Sequence, residues 1–300
     1  MFLKNKKIYI AGAGGMLGEA FYEHFSKSNQ VICSDKNSHD KWLSILDFRD
    51  TKKYHYEVKN FQPDYLFHLG AMTDLEECEN DKDNAYLTNY LSVEDACDIS
   101  NDLDIPILYI STAGIFDGKK ENYNDWDTPN PLGVYASSKY LGELTVKEKT
   151  NKHFIFRAGW MMGGGEKKDK KFINKIISQI KNGANELNIV NDKFGTPTYT
   201  YDFAKNVDLV INNQLYGLYN LVCEGFTSRE EVSQEIVKLL NIKDKIKINL
   251  VNSEFFKKEY FAPRPLSERL INKKLNLRNM NIMRDWRICL SEYIKEKFNL

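Results

Sequence analysis

The sequence has no excess of charge of either sign, because its 42 lysine and arginine residues balance 42 aspartate and glutamate residues. Proteins that bind nucleic acids or anionic membrane surfaces usually carry a basic excess that attracts phosphate groups. The balance therefore predicts that neither a nucleic acid nor a membrane is a partner of this protein.

Cysteine and histidine are scarce, with five of each among 300 residues. The cysteines are odd in number and form no Cys-x-x-Cys pair, and the histidines are not spaced as metal ligands. This pattern argues against both a disulfide framework and a metal site, and it fits a reducing compartment.

Long apolar runs are absent as well. No apolar run approaches the roughly 20 residues that a membrane-spanning helix needs, and the short N-terminal segment leads directly into the first predicted strand. We therefore expect a cytoplasmic protein. The chain is long enough for one large α/β domain, or for a dinucleotide-binding domain with a smaller lobe.

Three evenly spaced glycines are the first informative feature that is present. Gly12, Gly15 and Gly18 lie between a short apolar strand and an amphipathic helix that begins near Met16. A turn without side chains lets backbone N–H groups approach a pyrophosphate, and the helix N-terminus favours its negative charge. The spacing is not the Gly-x-Gly-x-x-Gly of many dehydrogenases, so a tight structural turn stays an alternative to dinucleotide binding.

Apolar strands alternate with amphipathic helices along the chain. Alternation of this kind needs right-handed crossovers and predicts an α/β fold, a Rossmann-type doubly wound parallel sheet. We predict a dinucleotide-binding domain formed by 1–160 plus about 196–222, and a smaller α/β substrate-binding lobe formed by about 161–195 plus 223–300. The predicted strands after the first are 30–35, 45–47, 65–70, 107–111, 153–157 and 217–221, and the predicted helices after the first are 84–101, 133–149, 172–181 and 200–212.

A tyrosine and a lysine four residues apart occur three times, at Tyr135/Lys139, Tyr201/Lys205 and Tyr293/Lys297. Such pairs lie on one face of a helix, but chance alone supplies about two of them in a chain of this composition. Only the first pair follows a strand that ends in a hydroxyl pair, Ser111-Thr112, and strand carboxyl ends face the ligand crevice of such sheets. We therefore choose Tyr135 and Lys139, and we expect the other two pairs on surface helices.

The three side chains form a coherent proton-donating set. A tyrosine pKa of ~10 is far from neutrality, and bringing it to ~7 takes about 4 kcal/mol. A lysine charge ~4 Å away supplies about that much at an effective dielectric constant of about 20, and the charge of an oxidised nicotinamide adds to it. Thr112 would hold a carbonyl oxygen where Tyr135 delivers a proton.

With these residues the chain resembles the extended short-chain dehydrogenases/reductases, and within them the dTDP-4-dehydrorhamnose reductase group. The similarity covers nearly the whole length. The matching positions are Gly12-x-x-Gly15-x-x-Gly18, Gln62-Pro63-Asp64, His68-Leu69-Gly70-Ala71-Met72-Thr73, Asn89, Ser111-Thr112, Phe116-Asp117-Gly118, Pro129-Asn130-Pro131-Leu132-Gly133-Val134-Tyr135, Ser138-Lys139, Gly142-Glu143, Arg157, Trp160, Phe194-Gly195-x-Pro197-Thr198, Gly217-Leu218-Tyr219 and Arg264-Pro265.

The resemblance implies a function and a set of site residues. It implies an enzyme that uses NAD(P)H to reduce a nucleotide-activated 4-ketosugar in deoxysugar or surface polysaccharide biosynthesis, with Thr112, Tyr135 and Lys139 as the catalytic set and Lys139 also holding the nicotinamide ribose. The implied sugar contacts are Thr112, Ala113 and Trp160. The predicted cofactor contacts, including the glycine turn, are Gly12, Gly15, Met16, Leu17, Gly18, Asp35, Asp47, Phe48, Gly70, Ala71, Met72, Thr73, Asn89, Tyr135 and Lys139.

The chain departs from this group directly after the catalytic threonine. The reductases usually have Asp-Tyr there, whereas this chain has Ala113-Gly114. Sugar dehydratases of the superfamily usually carry Asp-Glu, so the departure also argues against 4,6-dehydration, while epimerases of the UDP-galactose type have a small residue there. Our hypothesis is a roomier pocket for a different or larger ketosugar.

The choice of cofactor depends on Asp35, which lies 17 residues after Gly18. Its carboxylate would accept the adenosine ribose hydroxyls and repel a 2′-phosphate, which favours NAD(H). The neighbouring Lys36 would shield a phosphate, so NADP(H) stays open. A strand-end cap without any ligand is the structural alternative for Asp35.

Four further features have a functional and a structural interpretation. Arg264 is a candidate for binding the diphosphate or the sugar, or else for a salt bridge. Trp160 would stack on the sugar or pack in the core, and His68 is expected to be a core histidine rather than a base. The lysines at positions 167, 168, 170 and 171 would clamp a diphosphate from a mobile lid or form a solvated face.

Two other functions stay open at this point. A nucleotide-sugar 4-epimerase would use the same triplet with tightly bound NAD, and would turn over without added cofactor. A non-catalytic regulatory or binding subunit is the third alternative, because the regulatory subunit of methionine adenosyltransferase resembles this group. A homodimer is neither required nor excluded by the sequence.

Overall fold

The alternating pattern becomes a series of short strands and helices in a computed structural model that describes residues 2–37 and 40–298. The strands are β1 (Lys7–Ala11), β2 (Gln30–Asp35), β3 (Leu43–Ile45), β4 (Tyr65–His68), β5 (Ile107–Thr112), β6 (His153–Ala158), β7 (Trp160–Met162), β8 (Glu186–Val190), β9 (Phe194–Gly195), β10 (Pro197–Tyr199), β11 (Gly217–Asn220), β12 (Thr227–Ser228), β13 (Lys247–Val251) and β14 (Ser267–Glu268). The α-helices are α1 (Met16–Phe25), α2 (Thr51–Phe61), α3 (Leu75–Asn80), α4 (Lys82–Tyr86), α5 (Ser92–Asp102), α6 (Val134–Lys149), α7 (Gly165–Lys168), α8 (Phe172–Lys181), α9 (Thr200–Asn212), α10 (Arg229–Leu239), α11 (Lys273–Leu277) and α12 (Trp286–Phe298).

Seven of the strands form one parallel sheet in the order β11-β6-β5-β4-β1-β2-β3. The order reverses after β1, as in a doubly wound sheet, so the carboxyl ends of β1 and β4 border a crevice. Alternate residues of β1 face opposite layers: Ile8 and Ile10 pack with α1, whereas Tyr9 and Ala11 pack with the other helix layer. The predicted Rossmann-type α/β fold is confirmed.

Two predicted elements differ most from the structure. The third strand is Leu43–Ile45 rather than 45–47. The predicted helix over 84–101 is interrupted by one π-helical turn, Leu87–Leu91, which turns Asn89 inward to full burial. Its side-chain oxygen accepts a hydrogen bond from Met72 N at 2.8 Å, and its nitrogen donates to Ser138 Oγ at 3.0 Å. A π-turn of this kind often marks a functional site.

The chain leaves the large sheet after β6, returns for α9 and β11, and leaves again. Outside the large sheet, β7 pairs with β10, β8 pairs with β13, and β9 lies between β12 and β14. Of these strands, β10 and the first residue of β7, Trp160, fall within the predicted bounds of the dinucleotide-binding domain. The division into two domains stays a prediction. No helix in the described ranges is long and apolar enough to cross a membrane.

Tyr293 corrects one expectation about the surface. It is fully buried on α12 rather than exposed. Its hydroxyl oxygen lies 2.9 Å from both the Gly163 carbonyl oxygen and Asp169 Oδ2. The helical spacing to Lys297 could not reveal this, because α12 packs its tyrosine face against the segment that follows β7.

Candidate active site

The glycine turn is shaped by contact between backbones. Gly12 has φ +73°, and a Cβ there would lie 2.2 Å from Gly70 Cα. A Cβ on Gly18 would lie 2.1 Å from the carbonyl oxygen of Ala13. Gly15, the N-cap of α1, has no atom within 4 Å of its Cβ position. Open space therefore lies beside Gly15, where a dinucleotide diphosphate would meet the N-terminus of α1, while a Cβ on Gly164 would lie 3.3 Å from Met16 Cα.

Asp35 ends β2 directly beside this turn. Its Oδ2 accepts a hydrogen bond from Gly14 N at 2.9 Å, and its Oδ1 accepts one from Asn37 N at 3.1 Å. The carboxylate therefore has the capping role considered above, and it also lies at the rim of the turn where a ribose would sit. Its role as a ribose contact stays a prediction.

The other predicted cofactor residues lie at the same edge of the sheet. Asp47 pairs with Arg49, whose Nη2 approaches Oδ2 to 2.5 Å, and this pairing lowers the pKa of the Asp47 carboxyl group. Phe48 lies over Gly70, where a Cβ would meet its ring at 2.0 Å. Thr73 O accepts a hydrogen bond from Lys171 Nζ at 2.9 Å. The predicted positions are Gly12, Gly15, Met16, Leu17, Gly18, Asp35, Asp47, Phe48, Gly70, Ala71, Met72 and Thr73, on or after the ends of β1, β2, β3 and β4.

The structure brings the predicted catalytic residues together. Thr112 ends β5, and its Oγ1 accepts a hydrogen bond from Gly114 N at 3.1 Å. Tyr135 lies in the first turn of α6, and the side chain of Thr112 acts to lower the pKa of its phenol. Lys139 lies one turn later, is only 4% exposed, and places Nζ 4.1 Å from the centre of the Tyr109 ring.

The pKa values of this pair differ from the sequence-based expectation. Burial raises the pKa of Tyr135 to about 12, although the hydrogen bond with Thr112 acts in the opposite direction. Burial also lowers the pKa of Lys139 to about 7, while the charge of Glu143 acts to raise it. The expected lowering of the tyrosine pKa towards neutrality is therefore absent from this structure, because loss of solvent outweighs the effect of Thr112. A phenol with this pKa keeps its proton at neutral pH, as a proton donor must.

A small cavity of about 60 Å³ lies in front of Tyr135. One side comes from α3, the turn after β5 and the start of α6, and the other comes from the C-terminal part of the chain. The lining residues are Leu75, Glu79, Gly114, Gly133, Tyr135, Ala136, Ala262, Pro263, Pro265 and Glu268.

Trp160 contacts two charged residues, of which Glu268 lines the cavity. Its Nε1 donates a hydrogen bond to Glu268 Oε2 at 2.6 Å. The guanidinium carbon of Arg229 lies 3.7 Å from the centre of the Trp160 ring and 4.4 Å from that of Phe172. Within the described part of the chain, this guanidinium stacks on aromatic rings instead of pairing with a carboxylate. Trp160 is thus neither buried in the core nor freely mobile.

The remaining candidates have clear neighbours. Arg264 donates two hydrogen bonds to Glu76, at 2.7 and 2.8 Å, so the salt bridge is present. Ala113 is 1% exposed and packs with Ile115 and Phe116. Its neighbour Gly114, rather than Ala113, borders the cavity. The roles of Arg264 and Ala113 as sugar contacts stay predictions.

His68 is a buried core histidine. Its Nδ1 lies 3.2 Å from Tyr54 Oη and its Nε2 lies 3.4 Å from Ser92 Oγ, and burial lowers its pKa to about 3. Of the four lysines after the glycine run, Lys168 pairs with Glu19 at 3.0 Å, so it ties this segment to α1. No group of three or more possible metal-binding side chains occurs in residues 2–37 and 40–298.

Sequence reasoning missed Glu268 and Arg229. Neither residue belongs to a spacing pattern, and each reaches Trp160 from a distant part of the chain. The only signal for Glu268 is its position three residues after the Arg264-Pro265 pair.

Comparisons with known proteins agree with this geometry. A family model described as the RmlD substrate binding domain matches residues 6–298. The spore coat polysaccharide biosynthesis protein SpsK of Bacillus subtilis is 28% identical over 293 residues, which cover 97% of this chain and 98% of that protein.

Two solved structures have nearly the same fold over nearly the whole chain. A dTDP-4-dehydrorhamnose reductase from Clostridium acetobutylicum is 31% identical with a TM-score of 0.88, covering 96% of this chain and 98% of that one. The dTDP-4-dehydrorhamnose reductase from Bacillus anthracis, solved in complex with NADP, is 28% identical with a TM-score of 0.89, covering 98% of this chain and 100% of that one.

Proposed function

The chain belongs to the RmlD substrate binding domain family, and from this premise we propose that it is an NAD(P)H-dependent reductase of a nucleotide-activated 4-ketosugar, acting in deoxysugar or surface polysaccharide biosynthesis. The observation that carries the proposal is the proximity of Thr112, at the carboxyl end of β5, to Tyr135, in the first turn of α6, which lets the threonine side chain act on the pKa of the phenol. Lys139 lies one helical turn further along α6. This arrangement has a hydroxyl to orient a carbonyl, a protonated phenol, and a buried lysine on the same helix as the phenol.

The residues of the turn fit a dinucleotide, since the Cβ position of Gly15, at the N-terminus of α1, faces open space. Gly12, Gly15 and Asp35 would hold the diphosphate and the adenosine ribose, and Lys139 would hold the other ribose. When bound, the reduced nicotinamide supplies a hydride to the carbonyl carbon. NAD(H) is favoured by Asp35, and NADP(H) stays open because Lys36 is next to it and because a relative was solved with NADP.

The protein residues carry the proton side of the reaction. Thr112 Oγ1 donates a hydrogen bond to the substrate carbonyl oxygen and so holds it at the phenol of Tyr135. Tyr135 then donates its proton to that oxygen as negative charge develops there. Lys139, when protonated, stabilises the phenolate that remains. The low-dielectric surroundings strengthen each of these interactions.

The substrate lies on the side of Trp160, Arg229 and Arg264 in this proposal. Arg264 would turn from Glu76 to the diphosphate of the nucleotide, and Trp160 would contact the sugar ring. Ala113 would contribute its backbone. Light scattering of the purified protein would test whether it forms a homodimer.

The function is tested by following NADH or NADPH oxidation with dTDP-4-dehydrorhamnose and related nucleotide 4-ketosugars. The proposal expects oxidation that depends on both the ketosugar and added cofactor. Turnover that needs no added cofactor, with tightly bound NAD in the purified protein, would instead support the epimerase. Binding of nucleotide sugars without any turnover would support the regulatory subunit.

A further inference from the structure

The space beside Gly114 is filled from another part of the chain. Ala113-Gly114 removes two polar side chains from this position and suggested a roomier pocket. A Cβ on Gly114 would lie 3.3 Å from Glu268 Oε1 and 3.5 Å from Thr112 Oγ1. The carboxylate of Glu268 therefore lies where a side chain at position 114 would extend, next to the hydroxyl that orients the carbonyl.

Several contacts fix Glu268 in this place. Its strand β14 pairs with β9, which sets Glu268 opposite Gly195. A Cβ on Gly195 would lie 2.2 Å from the Trp160 ring, so only glycine lets that ring approach. Lys193 Nζ donates hydrogen bonds to the carbonyl oxygens of Arg264 and Pro265, at 3.2 and 3.3 Å, and thereby holds the segment that leads into β14.

The two oxygens of the carboxylate have different surroundings. Oε2 accepts the hydrogen bond from Trp160 Nε1 at 2.6 Å. Oε1 faces Gly114 and Thr112 at the cavity that Tyr135 also lines. An ionised carboxylate only accepts hydrogen bonds, so Oε1 can bind only a donor. Because Oε1 and Thr112 Oγ1 border the same point, this donor must be attached close to the substrate carbonyl.

We propose that Glu268 is a specificity-determining residue, which selects a ketosugar with a hydroxyl or ammonium group on a ring carbon adjacent to the carbonyl. The proposal rests on the proposed function, because it takes the carbonyl to be bound by Thr112 and Tyr135. It replaces the hypothesis of a roomier pocket. The carboxylate of Glu268, on β14, takes the place of the polar side chains that are missing at positions 113 and 114.

The test compares wild-type protein with Glu268→Gln, which keeps the size of the side chain and removes its charge. The probes are three dTDP-linked 4-ketosugars that differ only at C3, where they carry a hydroxyl group, an amino group or hydrogen. We expect wild-type kcat/KM for the hydroxyl or amino sugar to exceed that for the 3-deoxy sugar by about tenfold or more, and Glu268→Gln to reduce this ratio about tenfold. The amino sugar should lose more than the hydroxyl sugar if its ammonium group is the natural donor. A ratio unchanged in Glu268→Gln would overturn the proposal.

Trp160→Phe is the control for a purely structural role, because it removes the indole N–H and keeps an aromatic ring. If Trp160→Phe reproduces the change in ratio, Glu268 acts only by positioning Trp160 and the proposal is wrong. Affinities for the corresponding dTDP-sugars, measured by calorimetry, test the role of Glu268 separately from the reductase function. If neither protein turns over any ketosugar but Glu268→Gln no longer discriminates among the sugars in binding, the reductase function is refuted and the role of Glu268 is supported. If the ketosugars are turned over but Glu268→Gln discriminates as the wild type does, the reductase function is supported and the role of Glu268 is refuted.

Discussion

The glycine turn after β1 and the wall formed by β14 face the same reaction centre, but different kinds of contact hold them in place. In the turn, backbone packs on backbone, as where Gly12 meets Gly70. In the wall, charged and aromatic side chains hold each other, as in the pair of Trp160 and Glu268. Backbone N–H groups recognise the diphosphate that all dinucleotide cofactors share, whereas side chains recognise particular polar groups of a ligand. The cofactor side is therefore expected to be generic, and the sugar side can be altered by single substitutions.

Removing the proton donor, the hydroxyl group of Tyr135, should have the largest effect on activity. Tyr135→Phe deletes the hydroxyl that protonates the carbonyl oxygen, so kcat should fall by about 100- to 10,000-fold, with affinity for cofactor and nucleotide sugar retained. Steady-state kinetics and calorimetry measure the two quantities. Tyr201→Phe is a matched control from another tyrosine-lysine pair and should keep its activity. Equal activity of both variants would favour a binding role.

Two substitutions in the turn separate folding from cofactor binding. Gly12→Ala places a methyl group inside the backbone of Gly70 at a positive φ, so the free energy of unfolding should fall by about 3 kcal/mol or more. Gly15→Ala meets no atom and should cost at most about 1 kcal/mol as a change of N-cap, yet weaken cofactor binding about tenfold. Urea unfolding and fluorescence titration give both values. Normal cofactor affinity in Gly15→Ala would show that the diphosphate binds elsewhere.

A pair of substitutions tests whether Glu268 occupies the space beside Gly114. Gly114→Tyr drives a ring into Glu268, so kcat/KM should fall by about tenfold or more. Combining it with Glu268→Ala removes the collision and should restore part of the loss, which a double-mutant cycle of kcat/KM would measure. Purely additive effects would mean that the two positions do not share one space.

The charge of Lys139 should appear in the pH dependence of stability. Its pKa is about 7 in the folded protein, whereas lysine has its ordinary value of 10.5 in the unfolded chain. The unfolded state binds more protons between these values, so burial of Lys139 destabilises the protein fully below pH about 7 and not at all above about 10.5. The free energy of unfolding should therefore rise with pH across this window, and less steeply in Lys139→Met. An identical slope in both proteins would contradict the lowered pKa.

The smallest expected effect concerns the choice of cofactor. Asp35→Asn should improve NADPH binding relative to NADH by about tenfold, because a negative charge beside the 2′-phosphate is removed. Lys36→Gln should shift the same ratio of dissociation constants in the opposite direction. If neither variant changes the ratio, the residues at the end of β2 do not contact the 2′ position of the adenosine ribose.

The two sides also differ in how far the sequence predicts them. The turn and the Tyr135/Lys139 pair are local patterns, because spacing along one strand end or one helix decides which atoms meet. Glu268 and Trp160 are 108 positions apart, and only the register of β9 with β14 brings them together. The sequence also did not predict the pKa of Tyr135, because that pKa depends on burial and burial depends on the whole fold. The spacing between Tyr135 and Lys139 shows only that a charge is near in the sequence.

The central claim, that this site reduces a nucleotide-activated ketosugar, is tested most directly by isotope transfer. The protein is incubated with dTDP-4-dehydrorhamnose and NADPH, or NADH, deuterated at the transferable position, and the product is analysed by NMR. The account predicts deuterium on the carbon that carried the carbonyl, and none in the Tyr135→Phe reaction over the same time. A product without deuterium, or an unchanged ketosugar across the panel of nucleotide sugars, would contradict it.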